Sequence, residues 1–146
     1  MKGLKIAIGS DHAGYMKMLH VRKLLCDWGV DVINLGPDKH DPDDDYPDYA
    51  HPVAQAVSEG KVDFGVLICG TGKGMAITAN KTLGVRAVTI ANEEEARLTR
   101  AHNNANCACF GANSLRADLM GRLFKIFVRT TFEGGRHARR VNKIEV

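Results

Sequence analysis

Apolar and polar positions switch repeatedly between a strand-like and a helix-like period along the chain. Leu4 to Gly9 is a short apolar run ending in Gly-Ser-Asp-His, and Ala13 to Trp28 then spaces Met16, Leu19, Leu24 and Leu25 as a helix does, until Gly29. Val30 to Leu35 alternates like a strand, and the polar loop Gly36 to Pro47 leads into a helical stretch from Asp48 to Glu59. Phe64 to Cys69 is a continuous apolar run, followed by a glycine-rich turn and a helix over Met75 to Lys81. Val85 to Ala91 with Asn92 to His102, and Asn106 to Phe110 with Ser114 to Phe132, complete five strand–helix units.

Regular alternation of this kind predicts an α/β fold: a three-layer, Rossmann-like sandwich with a parallel sheet of about five strands and helices on both faces. Ligands of such sheets bind outside the carboxyl ends of the strands, so the loops to search begin at Ser10, Gly36, Gly70, Ala91 and Gly111. The pattern shows no repeat, low-complexity tract or linker, which predicts a single domain over 1–146 with a locally basic tail at 133–146.

Composition narrows the function classes. The 146 residues are 45% hydrophobic and 25% charged with 4 prolines, which excludes collagen-like, disordered and disulfide-scaffold chains. A formal charge of +3 without a basic face argues against a nucleic-acid partner and for a small molecule. No apolar run approaches the ~18 residues of a membrane span. Met1 to Gly14 lacks the apolar centre of a secretory signal, so the expectation is a cytoplasmic protein without a membrane partner. Cys26, Cys69, Cys107 and Cys109 form no CxxC pair, as suits reduced thiols.

The strongest chemical signal is Cys69-Gly70-Thr71-Gly72-Lys73-Gly74, where a cysteine ends a buried strand and a glycine turn opens a helix. Glycines there let backbone N–H groups point inward as an anion-binding concavity, and a helix start favours a thiolate. The same segment also reads as a buried cysteine beside a tight turn. It is not a Walker A loop, since Gly74 follows Gly72-Lys73 where Ser or Thr is needed, nor the dinucleotide fingerprint, since the spacing is GxGxG. Asp11-His12 after the first strand can bind sugar hydroxyls or a phosphate, or Asp11 can cap the next helix. His102-Asn103 closes the fourth helix, where a histidine can also serve only the helix dipole. Arg136 and Arg140, four apart, share a face if the tail is helical and could clamp a phosphate, with His137 and Arg139 pointing elsewhere; a solvated basic tail is the alternative. The acidic run Asp41, Asp43, Asp44, Asp45 and Asp48 reads as a solvated loop. Tyr46 and Pro52 occupy the positions a calcium loop needs for glycine and glutamate. Cys107 and Cys109, on one side of a strand, read as core.

Taken together, Gly9-Ser10-Asp11-His12-Ala13-Gly14, Asp45-Tyr46-Pro47, Leu67 to Gly74, Ala79-Asn80-Lys81, His102-Asn103, Phe110-Gly111 and Glu133-Gly134-Gly135-Arg136-His137 occur in an order that resembles the ribose-5-phosphate isomerase B and galactose-6-phosphate isomerase family. The resemblance runs from about Lys5 to about Arg140, and the Glu-Gly-Gly-Arg-His segment is more similar to the ribose-phosphate branch. It implies an aldose–ketose isomerase of sugar phosphates without metal or organic cofactor. The implied assembly is a homodimer with shared active sites, or a tetramer of paired dimers. By position, the resemblance implies Cys69 as the proton-transfer base and His102 as the residue that opens the furanose ring. Asp11, His12, Gly70, Thr71, Gly72, Lys73, Gly74 and Asn103 match ligand contacts, Arg136 and Arg140 match phosphate contacts, and Thr71 and Tyr46 are helpers.

Asn113 departs from the family, which usually carries an arginine three residues after the Phe of Phe110-Gly111; Lys73 or Arg116 are the residues that could compensate. The expected reaction is the interconversion of ribose 5-phosphate and ribulose 5-phosphate through an enediolate. Galactose 6-phosphate or a four-carbon sugar phosphate are alternative substrates. From other classes, a flavodoxin-like phosphate- or nucleotide-binding module would use the glycine loop without the thiol. A cysteine phosphatase would need an arginine-rich cradle after Cys69.

Overall fold

A computed structural model of the chain describes residues 1–145. The strands are β1 (Lys5–Ser10), β2 (Asp31–Asn34), β3 (Phe64–Cys69), β4 (Ala87–Thr89) and β5 (Cys107–Gly111). The helices are α1 (Tyr15–Asp27), α2 (Pro47–Ser58), α3 (Lys73–Ala79), α4 (Glu93–Asn103), α5 (Ala117–Arg129) and α6 (Arg136–Asn142). Every strand pair is parallel, in the order β2-β1-β3-β5-β4. The α/β sandwich predicted from the alternation is therefore present.

Side-chain alternation in the strands assigns the layers. Ile6, Ile8, Val66, Ile68, Ala108 and Phe110 face a core shared with α1, α4 and α5. Ala7, Leu67, Cys69, Cys107 and Cys109 face α2 and α3. The second face is built of smaller side chains, and α2 lies close against it: a Cβ on Gly65 would stand 2.9 Å from Val53 Cγ1 and 3.0 Å from Cys107 Sγ. Phe110, Phe124 and Phe127 fill the wider first layer. Crossovers through α1 and α4 step one way along the sheet and those through α2 and α3 step the other way. Passing over opposite faces, all four share one hand.

Element ends differ from the sequence pattern where non-local contacts intervene. α1 begins at Tyr15 rather than Ala13 because Asp11 Oδ1 accepts the Gly14 N–H at 3.2 Å, holding a turn before the helix. β4 shrinks to three residues because side chains take over the bonds at its start: Asn106 Oδ1 accepts the Arg86 N–H at 2.8 Å and Asn80 Oδ1 that of Ala87 at 2.7 Å. α5 loses residues at both ends, and the tail forms α6, which packs beside α4. Cys107 and Cys109 are fully buried, as expected of core residues. No described helix is long and apolar enough to cross a membrane.

Candidate active site

Because β1, β3 and β5 are neighbours, the loops leaving their carboxyl ends meet. Cys69 ends β3 with 5% exposure, and its Sγ accepts the Gly72 N–H at 3.2 Å. Gly72 has φ +78°, and a Cβ there would lie 2.9 Å from the Phe110 carbonyl carbon, so only glycine lets this turn pass under β5. The Gly70 carbonyl accepts the Asn113 N–H at 2.9 Å, and the Asn113 amide covers Gly70, with Nδ2 3.1 Å from where a Cβ would stand. On the other side the Tyr46 ring closes over Gly74, 2.8 Å from its Cβ position. Thr71 Oγ1 accepts the Lys73 N–H at 3.2 Å, and Thr71 and Lys73 are exposed. A thiol thus stands at the head of a glycine loop walled by Asn113 and Tyr46.

The β1 end adds Asp11 and His12. Asp11 is buried, and desolvation raises its carboxyl above the ordinary value although the Gly14 N–H works against that. Its cap-like bond to Gly14 and its place beside the Cys69 loop coexist. His12 donates its backbone N–H to Asp44 Oδ1 at 3.0 Å and its Nδ1–H to the same oxygen at 2.6 Å. The Asp44 hydrogen bond raises the imidazole above its ordinary value. The acidic run is therefore not uniformly a solvated loop: the Asp44 side chain is 5% exposed, drawn in by His12. Sequence alone does not single out one carboxylate from the run.

The remaining candidates lie toward the opposite end of the strands. α4 runs back from the end of β4 and delivers His102 and Asn103 near the start of β3, where the Arg100 guanidinium lies 5.0 Å from the centre of the Phe64 ring. Phe64 and Cys69 are the two ends of β3, which at ~3.3 Å per residue separates them by about 16 Å. Asn92 caps the start of α4 by accepting the Glu95 N–H at 2.9 Å, and Arg100 ties down its end by donating to Asn104 Oδ1 and the Ala105 carbonyl, each at 2.8 Å. The His102 ring stacks on His137 with centroids 4.2 Å apart and planes 7° from parallel, and its Nε2 lies 3.4 Å from Glu133 Oε2. Burial, then the neighbouring His102, lowers the His137 imidazole. Asn103 lines a cavity of about 550 Å³ with Asn80, Arg86 and Val88. Arg136 and Arg140 are exposed and one turn apart on α6, as a helical tail requires.

Arg116 pairs with Asp118 at 3.3 Å on the surface, beside Met16 and His20. Among the described residues two groups bring metal-ligating atoms within 4.8 Å of one another, His102–Glu133–His137 and Asp11–His12–Asp44. Hydrogen bonds account for the second group, and ring stacking with the 3.4 Å approach of Glu133 to His102 for the first.

A sequence profile of the ribose/galactose isomerase family matches residues 6–144. The chain belongs to that family. Ribose-5-phosphate isomerase B of Escherichia coli K12 is 41% identical over 140 residues, 96% of this chain and 93% of that protein. The crystal structure of a ribose 5-phosphate isomerase from Thermotoga maritima matches with a TM-score of 0.95 at 41% identity, covering 98% of each chain. Ribose-5-phosphate isomerase B from Mycoplasma genitalium with bound ribulose-5-phosphate matches at 0.93 and 39% identity, covering 99% of this chain and 95% of that one. This ribose/galactose isomerase is thus a sugar-phosphate isomerase. The sequence pattern leaves Asp44 in a solvated loop and turns His137 away from the clamp; the Glu-Gly-Gly-Arg-His segment is the signal that could have grouped Glu133 and His137 with His102.

Proposed function

We propose that this isomerase interconverts ribose 5-phosphate and ribulose 5-phosphate, with Cys69 as the base. The observation that carries the reading is a buried thiol at a strand end with a glycine-loop N–H directed at its sulfur at 3.2 Å. The Cys69 thiolate takes the proton from C2 of the open-chain aldose; the C–H electron pair forms the C1–C2 double bond, and O1 gains a proton. The C2 hydroxyl then loses its proton as C2 becomes the carbonyl carbon, and the thiol returns its proton to C1. Backbone N–H groups of the Gly70 to Gly74 loop other than those directed at Cys69 Sγ and Thr71 Oγ1 are the donors for the enediolate oxygens, with Thr71 and Tyr46 assisting. Asp11, His12 and Asn103 hold sugar or phosphate oxygens, and Arg136 with Arg140 clamps the phosphate. Asn113 offers amide hydrogen bonds where the family usually has an arginine. His102 opens the furanose ring by moving a proton between the anomeric hydroxyl and the ring oxygen. No metal or organic cofactor enters any step.

Cys69 closes the carboxyl end of β3 while α4 carries His102 back toward the amino end of that strand, which is about 16 Å long, and this supports a homodimer in which the Cys69 end of one subunit meets the His102 end of the other. Residues 1–146 act as a single domain, the tail at 133–146 supplying the clamp. Four free thiols suit a cytoplasmic setting. Asn113 favours one second reading, in which the preferred substrate is another aldose phosphate such as galactose 6-phosphate. An isomerase assay across four-, five- and six-carbon aldose phosphates with a chelator present tests the proposal. Ribose 5-phosphate is the expected clear winner, and Cys69→Ala should abolish turnover while substrate affinity stays within a few-fold. Near-normal turnover without Cys69, or a six-carbon winner, defeats the respective half.

A further inference from the structure

Asp44 occupies an unusual position for a member of an acidic loop. Its side chain is 5% exposed, its Oδ1 receives both the backbone and the ring N–H of His12, and its buried Oδ2 makes no hydrogen bond. A carboxylate withdrawn from water is costly unless a neighbouring charge compensates it. The groups facing it do not supply that charge: Asp11 and Asp41 are acidic, and Tyr49 is a phenol whose ionisation burial and Asp44 oppose. His40 approaches the His12 ring edge-on at 6.4 Å between centroids, leaving His12 itself as the hydrogen-bonded partner. A carboxylate only accepts, so the Asp44 bond fixes the proton on Nδ1 and leaves Nε2 as the nitrogen that can serve a ligand.

We infer that Asp44 is a positioning residue for His12, holding the ring in one orientation and in its charged form so that Nε2–H acts as a cationic donor to the anionic sugar phosphate. The inference rests on the proposed reading that His12 contacts the substrate. Asp44 itself touches neither substrate nor reacting atoms. It completes on the β1 side what the glycine loop does on the β3 side: a donor fixed before the anion arrives, so that little ordering remains for the binding step.

Asp44→Asn keeps the volume and an acceptor oxygen but removes the charge. The His12 ring nitrogens are followed by proton–nitrogen NMR against pH, and KM and kcat for ribose 5-phosphate are measured over the same range. In the variant the His12 titration should move to lower pH. Between the variant's His12 titration and the wild type's, KM should rise roughly tenfold, the equivalent of ~1.4 kcal/mol, with kcat changed by no more than about twofold. Asp44→Glu should restore much of the wild-type profile, and Asp44→Asn should add nothing to KM in a His12→Asn background. An unmoved His12 titration, or an undiminished effect of Asp44→Asn when His12 is absent, overturns the inference. If the titration moves while KM does not follow, His12 does not touch the substrate, and both this inference and that contact in the proposed function fall, while the Cys69 assignment stands. Should Asp44→Asn not fold, wild type decides: KM must rise over the pH range in which His12 loses its proton, and a KM flat through that range refutes the inference.

Discussion

Replacing Gly72 by alanine tests the turn that binds Cys69 to the glycine loop. Its φ of +78° is costly for any residue with a Cβ, at about 1–2 kcal/mol. A second cost is local to the site. The added methyl would stand 2.9 Å from the Phe110 carbonyl carbon, 3.1 Å from its oxygen and 3.3 Å from the Gly111 nitrogen. These are backbone atoms of β5, paired to β3 through Cys69↔Gly111, and cannot swing away as a side chain would. Overpacking of this kind adds roughly 1–3 kcal/mol, for a total of about 2–5 kcal/mol. Gly60 is the control, with φ +68° but nothing within 4 Å of its Cβ position, so Gly60→Ala should cost only the conformational part, about 1–2 kcal/mol. Urea unfolding at one fixed protein concentration measures both, read as midpoint shifts at unchanged slope. Turnover supplies an independent readout: under the proposed role of Cys69 as a thiolate base, moving the Gly72 N–H off its sulfur removes a hydrogen bond to the anion worth about 1.5–3 kcal/mol, or roughly ten- to a hundredfold in kcat. Equal destabilisation at the two glycines would refute the steric argument. Unchanged kcat in folded Gly72→Ala would show that the N–H does not support the base.

His102→Asn should slow isomerisation of a furanose-forming aldose phosphate far more than that of a four-carbon substrate too short to close the ring, and equal losses in kcat/KM would mark His102 as structural. Mixing inactive Cys69→Ala and Arg136→Ala chains should restore up to about half of wild-type activity per heterodimer, one intact site in two; no recovery after verified subunit exchange would mean each site is built within one chain. Asp11 has its folded-state value raised above 3.8, so its favourable contribution to stability is complete only below that pH and is lost as pH rises through the folded value. Asp11→Asn, which keeps an acceptor for the Gly14 N–H, should therefore raise Tm at neutral pH, with the gain vanishing in acid, while weakening catalysis. A Tm that falls at neutral pH would contradict the burial argument.

The layered fold was legible because its determinants are local. Apolar runs such as Phe64 to Cys69, helical spacings such as Met16 to Leu25, and the glycines after Cys69 each state a backbone preference without reference to distant residues. Cys69, the loop after it and the Arg136–Arg140 spacing could be read the same way. The starts of α1 and β4 could not, since a buried carboxylate and two asparagine side chains set them through contacts the periodicity does not contain. Tertiary structure alone distinguished Asp44 from the acids around it, because shelter from water depends on His12 arriving from 32 residues away. It also stacked His137 on His102, at the end of α4 that returns to the amino ends of the strands, away from Cys69. One-dimensional pattern specifies which face a residue turns inward. Which residues then share that face is decided by non-local strand pairing, and the order β2-β1-β3-β5-β4 gathers the carboxyl ends of β1, β3 and β5 while α4 runs back to the amino ends of the strands.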